Sequence, residues 1–179
     1  MKTDAGRWDE LRTIHRQMVL SFVAECESQS EAQWKVSLSN EKWSPAQIAD
    51  HVRLSYFVLA NELAGGKGLR VRTTLWQRFW IRLKFLPDIL KSGKIPVATR
   101  APGELRPSDL PPAREDLIRQ LLAEVDRFET ELQRRWSDSG SVVSHHIFGG
   151  LSSPQAFQFV TIHTGHHLRQ MQKRETNRK

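Results

Sequence analysis

A chain of 179 residues fits one domain, residues 1–179, and is long enough to bury a hydrophobic core without disulfides or structural metals. Its single cysteine, Cys26, excludes an intrachain disulfide, and no apolar run approaches the roughly 18 residues of a membrane span, so we expect a cytoplasmic protein. The net charge of +7 is unevenly distributed, because residues 67–100 carry nine Lys or Arg side chains against one acidic residue, while the rest of the chain is nearly neutral.

Apolar residues recur three and four positions apart along most of the chain, a spacing that predicts an all-α fold. The second helix has a clear start in the sequence WSPAQIADHV, where Ser44 is a good N-cap and Pro45 takes the first helical position. Four amphipathic helices with one long crossover connection predict an up-down four-helix bundle. The predicted helices cover about residues 5–27, 45–63, 112–136 and 154–174.

The connection between the second and third helices is a basic, tryptophan-rich insertion at about residues 67–111. Within it, Trp76, Phe79 and Trp80 lie at helical spacing with arginines among them. Five of the eight prolines fall in residues 93–112, which excludes a long helix there and predicts an extended crossover.

The basic segment, residues 67–100, has three interpretations. In the first, it is a helix that packs its aromatic face on the bundle. In the second, it is a lid over a functional site, in which arginines such as Arg78 and Arg82 recognise carboxylates of a ligand. In the third, the protein is a non-enzymatic binding module, and the arginines and tryptophans of this segment contact nucleic acid or anionic membrane.

Three of the seven histidines stand within the sequence TIHTGHHLRQ, residues 161–170. A helical wheel places His163 and His167 on the inward face of the fourth helix, one turn apart, and His166 nearer the rim. Two imidazoles one turn apart can bind a common ion. His51 lies on the apolar stripe of the second helix and also points into the bundle. Three neutral imidazoles leave a coordination position open, as in catalytic metal sites.

The alternative for these histidines is that they are core residues with ordinary hydrogen-bond partners. A core with three imidazoles and few matching carboxylates is costly to satisfy without an ion, which favours the metal site. Gln47 and Gln170 are candidates to orient ligands from behind, and hydrogen bonding elsewhere is an equal alternative for both. Three further side chains, His166, Arg78 and Arg82, are candidates to contact a substrate.

Two stretches of the chain match a known pattern. The sequence WSPAQIADHV with its His51, followed far downstream by FVTIHTGHHLRQ with His163 and His167, resembles the DinB/YfiT-like family of metalloproteins. The resemblance implies a four-helix bundle that holds a divalent ion, often zinc or nickel, on these three histidines. It further implies a homodimeric enzyme, a thiol S-transferase or a hydrolase, that acts on a small electrophile, in the first case with a low-molecular-weight thiol. The basic insertion departs from the plain bundle of the family.

Overall fold

Four long helices form the bundle, and shorter elements are added at its connections. The structure, a computed structural model, describes residues 4–37, 42–96 and 101–176, so residues 97–100 of the predicted basic segment lie outside the described residues. In these ranges the helices are α1 (Asp4–Ser28), α2 (Glu31–Lys35), α3 (Pro45–Leu63), α4 (Leu75–Ser92), α5 (Arg114–Arg134) and α6 (Ser153–Thr176). Helix α1 packs along α6, and α3 packs along α5. The predicted all-α four-helix bundle is confirmed.

Helix α3 begins with the capping chemistry that the sequence predicts. The backbone N–H of Gln47 donates to Ser44 Oγ at 3.2 Å, and the backbone N–H of Ser44 donates to Gln47 Oε1 at 3.0 Å. Pro45 occupies the first turn, where its missing N–H has no cost. This reciprocal capping box fixes the start of α3 and therefore the face on which His51 lies.

The connections differ from the predictions in detail. Helix α5 covers residues 114–134 rather than 112–136, because the two prolines before Ala113 end the crossover and Ala113 becomes its N-cap. The short α2 was not predicted, although Ser30 and Gln33 form a capping box like that of α3.

A small antiparallel hairpin, which the sequence did not reveal, joins α5 to α6. Its strands are β1 (Val143–His145) and β2 (Gly149–Leu151). The turn between the strands lies at residues 146–148. Gly149 has a φ of +70°, which suits the left-handed residue that follows a three-residue hairpin loop.

A connected series of buried hydrogen bonds links the four bundle helices α1, α3, α5 and α6. Glu129 on α5 lies 2.8 Å from His15 Nδ1 on α1, and His15 Nε2 lies 2.8 Å from the Tyr56 hydroxyl on α3. The same hydroxyl lies 2.9 Å from the Thr164 hydroxyl on α6. Burial lowers the pKa of His15, so a neutral ring donates to the carboxylate and accepts from the tyrosine. This series of hydrogen bonds fixes the rotation of α6 at Thr164, the residue next to His163.

Helix α4 lies over the bundle with an aliphatic face inward. Leu86 and Ile89 are buried, whereas Trp76, Phe79 and Trp80 are 70%, 56% and 51% exposed. The interpretation that the aromatic face packs on the bundle is therefore wrong. Helix α4 carries a second apolar face, and that face makes the contact. No helix in the described ranges combines the length and the apolar character needed to cross a membrane.

Candidate metal centre

Three histidine side chains from two helices converge inside the bundle. His51 comes from α3, and His163 and His167 come from successive turns of α6. The Nε2 atom of His163 lies 3.3 Å from His51 Nε2 and 3.2 Å from His167 Nε2. All three candidate ligand atoms lie within 4.8 Å of one another. The structure thus brings together the three histidines that the sequence singled out.

Hydrogen bonds behind the cluster fix the tautomers of two of the rings. His51 Nδ1 lies 2.7 Å from the Leu105 carbonyl oxygen, which can only accept, so this nitrogen carries the proton. His167 Nδ1 likewise donates to Gln170 Oε1 at 2.8 Å. In the neutral rings the Nε2 atoms of His51 and His167 are therefore bare and present lone pairs to the centre. This arrangement, in which the second nitrogen is anchored, is usual for metal-binding histidines.

The electrostatics of the cluster favour a cation. A proton on His163 Nε2 can be donated to only one of its two neighbours, so the lone pair of the other Nε2 atom is left without a hydrogen atom to accept. The spacing itself also fits an ion. A metal–nitrogen bond of about 2.0–2.1 Å and a tetrahedral angle place two ligand nitrogens about 3.3 Å apart. The two separations from His163 Nε2 are 3.2 and 3.3 Å, and the third pair of ligand atoms lies within 4.8 Å.

The pKa values of the three rings keep them neutral and ready to bind. Loss of hydration on burial, and then the neighbouring imidazoles, lower the pKa of His163 well below its usual range. Burial first, and then His51, have the same effect on the pKa of His167. Burial also lowers the pKa of His51. A protonated imidazole cannot bind a metal, so the site competes little with protons near neutral pH.

The crossover between α4 and α5 positions the anchor of His51. The Leu105 carbonyl belongs to a single 3-10 turn, Gly103–Leu105. The buried carboxylate of Asp50 accepts the backbone N–H of Ser108 at 2.9 Å and ties this segment to α3. The Trp43 ring packs on the other side of His51, with 4.8 Å between ring centroids. The imidazole is therefore held by a hydrogen bond and by an aromatic contact.

A cavity of about 420 Å³ opens directly onto the three-histidine cluster. Helix α4 roofs it with Ile81, Phe85 and Ile89, and α6 contributes Phe159 and Val160. Further apolar walls come from the crossover and the hairpin, among them Ile95, Pro96, Leu105, Ile147 and Phe148. In the described part of the chain no Asp, Glu, Lys or Arg side chain lines the cavity. Its volume suits a small organic molecule, and its walls suit an uncharged apolar one.

The polar groups of the cavity are mostly imidazoles, since six of the seven histidines of the chain line it. His145 Nδ1 accepts the backbone N–H groups of Ile147 and Phe148, both at 3.2 Å, and burial lowers the pKa of this ring to about 3. Both ring nitrogens of His146 are buried, and neither has a hydrogen-bond partner among the described residues. An orphaned imidazole in a ligand-sized cavity is a candidate contact for a polar group of a ligand.

The structure distributes the other candidate residues over different places. Gln170 lies behind His167 and accepts a hydrogen bond from its Nδ1 atom, and half-buried His166 lines the cavity with its ring 5.2 Å from that of His167. Gln47, by contrast, closes the N-terminus of α3 with its side chain.

The two arginines predicted to read ligand carboxylates are engaged elsewhere. Arg82 donates to the carbonyl oxygens of Phe148 and Gly150, and Arg78 donates to the Thr73 carbonyl at 3.1 Å. Their guanidinium groups thus attach α4 to the hairpin and to its own N-terminal end, and the cavity is roofed by the aliphatic face of α4 rather than by these arginines.

Sequence reasoning missed two contributors to the site. The Leu105 carbonyl carries no side-chain signal, and its partner His51 is 54 residues away. Trp43 was visible only as the residue before a helix cap. His146, which the sequence places in a loop as a candidate substrate contact, lines the cavity from the hairpin turn.

Comparison with known proteins agrees with this architecture. No curated protein and no solved structure matches the chain. The model of the DinB superfamily matches residues 13–171, a range that includes every histidine of the cluster and the helices that carry them. A match over most of the chain, together with the helical bundle and its three converging histidines, shows that the protein belongs to the DinB superfamily.

Proposed function

We propose that the protein is a metal-dependent enzyme that joins a low-molecular-weight thiol to a small, uncharged, apolar electrophile. The observation that carries the proposal is the convergence of three imidazole nitrogens at metal-ligand spacing on the wall of an apolar cavity. A three-histidine site leaves a coordination position open, which is typical of catalytic ions. We take the ion to be zinc or nickel.

Each group of the chain has a definite task in this proposal. His51, His163 and His167 hold the ion, and the Leu105 carbonyl and Gln170 keep two of these rings in the binding tautomer. A divalent ion held there supplies Lewis-acid chemistry, which lowers the pKa of a thiol or of water in the open position.

The cavity then selects and positions the electrophile. Ile81 and Phe85 of the α4 roof and Phe159 of α6 surround its apolar body and exclude water. In the reaction the thiol sulfur forms a bond to an electrophilic carbon, and the leaving group departs with the bonding pair. The thiol proton passes to solvent or to a neutral imidazole, for which His146 and His166 are available.

Metal content is the first test. Protein purified without a histidine tag is expected to contain about one divalent ion per chain by elemental analysis. His51→Ala is expected to lose the ion, and His166→Ala, which changes a cavity histidine outside the cluster, is expected to keep it. Far-ultraviolet circular dichroism checks that both variants fold. Metal-free wild-type protein, or equal losses in both variants, contradicts the proposal.

Two matched electrophiles test the chemistry. The metal-loaded protein is incubated with a thiol and chlorodinitrobenzene, or with the same ring carrying a carboxylate. The neutral compound is expected to react at least about tenfold faster, because a carboxylate buried against the apolar roof, away from the ion, has no cationic partner there. Equal rates, or a rate independent of metal, argue against catalysis in this cavity. If the metal-loaded protein instead cleaves a neutral aryl ester without any thiol, the proposed reaction is hydrolysis and not thiol transfer.

A further inference from the structure

Helix α4 carries more exposed large hydrophobic side chains than any other helix in the described part of the chain. Six of the eleven large hydrophobic side chains that are exposed there lie on this one helix, and Leu75, Trp76 and Leu83 are 79%, 70% and 59% exposed. Trp80 joins them, with its ring 5.7 Å from that of Trp76. Clusters of this kind mark interaction sites, because isolated exposed hydrophobic residues are common but contiguous ones are not.

Positive charge borders one edge of this face. On the helical wheel of α4, Trp76, Trp80 and Leu83 fall within an arc of about 60°, and exposed Lys84 and Lys91 lie beside it. Other exposed basic side chains of the same segment are Lys67, Arg70 and Lys94. Long basic side chains next to tryptophan and leucine are the composition of helices that lie in the plane of an anionic membrane surface.

Charge and composition together decide between possible occupants. A second copy docked by the same face would bring two basic segments together, and the rest of the chain, with 18 basic and 19 acidic residues, offers no compensating excess of negative charge. Nucleic acid would use the indole rings, but Leu75 and Leu83 have no stacking or hydrogen-bonding function there. Both leucines suit the acyl region of a lipid layer.

We infer that the outer face of α4, formed by Leu75, Trp76, Phe79, Trp80 and Leu83 beside Lys84 and Lys91, binds the surface of a membrane that contains anionic lipids. The opposite face of the same helix roofs the cavity. Docking therefore places the cavity beside the layer in which apolar molecules are most concentrated. The inference does not depend on the metal, since it concerns only the exposed side of α4.

Vesicle binding tests this surface. The full chain is mixed with sedimentable vesicles of phosphatidylcholine, with or without a quarter of phosphatidylglycerol. Wild-type protein is expected to sediment with the anionic vesicles, to bind neutral ones much more weakly, and to dissociate progressively as salt rises. Leu83→Glu and Trp80→Glu are each expected to weaken binding by roughly tenfold or more, since burial of one large apolar side chain contributes at least that factor.

The chain offers a closely matched control. Leu20 on α1 is 62% exposed, against 59% for Leu83, so Leu20→Glu makes the same chemical change with the same change in charge at another helix surface. Vesicle affinity is expected to stay within about twofold of wild type in this variant. Elemental analysis measures the metal content of each variant, so failure of the metal site can be distinguished from failure of membrane binding.

Three results would overturn the inference. The first is wild-type protein that does not sediment with anionic vesicles at low salt. The second is an equal loss of binding in Leu20→Glu and Leu83→Glu, which would show that the loss comes from the change in net charge and not from the position of the leucine. The third is a dimer in size-exclusion chromatography that Leu83→Glu converts to a monomer, together with no vesicle binding, which would assign the face to a second copy of the chain.

Discussion

Replacement of Gln170 by leucine perturbs the hydrogen bond behind one of the three cluster histidines. Gln170 Oε1 lies 2.8 Å from His167 Nδ1, and the glutamine is half-buried at the cavity wall. Leucine has a similar volume but cannot accept a hydrogen bond, so the Nδ1 proton loses its partner. The ring is then free to populate the tautomer with the proton on Nε2. In that tautomer Nε2, the nitrogen that faces the cluster, has no lone pair for a metal. Partners of this kind are typically worth about 10-fold to 100-fold in metal affinity, or about 1.4–2.8 kcal/mol.

The assay is a competition titration of metal-free protein with zinc and a chromophoric chelator. Gln158→Leu is the matched control, because it makes the same change at another half-buried position of α6, outside the cavity lining. We expect weaker zinc binding in Gln170→Leu alone, with helical circular dichroism unchanged in both variants. An affinity for Gln170→Leu within twofold of wild type, or an equal loss in the control, refutes the reasoning about the tautomer.

Two further predictions concern the core. Burial by itself raises the pKa of Glu129, but hydrogen bonds from one histidine and two arginines lower it to about 2. A depressed carboxyl pKa stabilises the folded state above the unfolded value of about 4.5, and the effect is lost as the pH falls towards 2. Glu129→Gln should therefore cost about 3 kcal/mol in urea unfolding at pH 7, and its difference from wild type should shrink below about pH 4. Burial also raises the pKa of the Cys26 thiol far above its usual range, so this cysteine should react with a disulfide reagent only after denaturation; reaction in the native protein would contradict its burial.

Those parts of the site that follow local rules could be predicted from the sequence. The N-cap at Ser44 and the one-turn spacing of His163 and His167 depend on neighbours within four residues, and both appear in the structure as expected. His51 needed only the additional rule that an apolar stripe faces the bundle. Gln170 followed from the same one-turn spacing, since it stands three residues after His167.

Gln47 shows how a local rule can be overlooked in favour of a functional one. Its position three residues after Ser44 is the position at which a capping box takes a glutamine, and the side chain makes that bond in the structure. The signal was therefore present in the sequence. The Leu105 carbonyl gave no comparable signal, because a backbone oxygen is common to all residues, and only the path of the crossover brings it 2.7 Å from His51 Nδ1.

Helix α4 marks the limit of sequence reasoning for a different physical reason. Its periodicity contains two apolar faces, an aliphatic one with Ile81 and Ile89 and an aromatic one with Trp76 and Trp80. A hydrophobic pattern alone does not show which face packs on the protein and which is left for a partner. Burial of either apolar face lowers the free energy, because it removes apolar surface from water. The choice is made by tertiary contacts that tie α4 to the hairpin, notably the bonds from Arg82 to the hairpin carbonyls. Because these hydrogen bonds orient the aliphatic face of α4 towards the cavity, the aromatic face remains exposed beside Lys84 and Lys91.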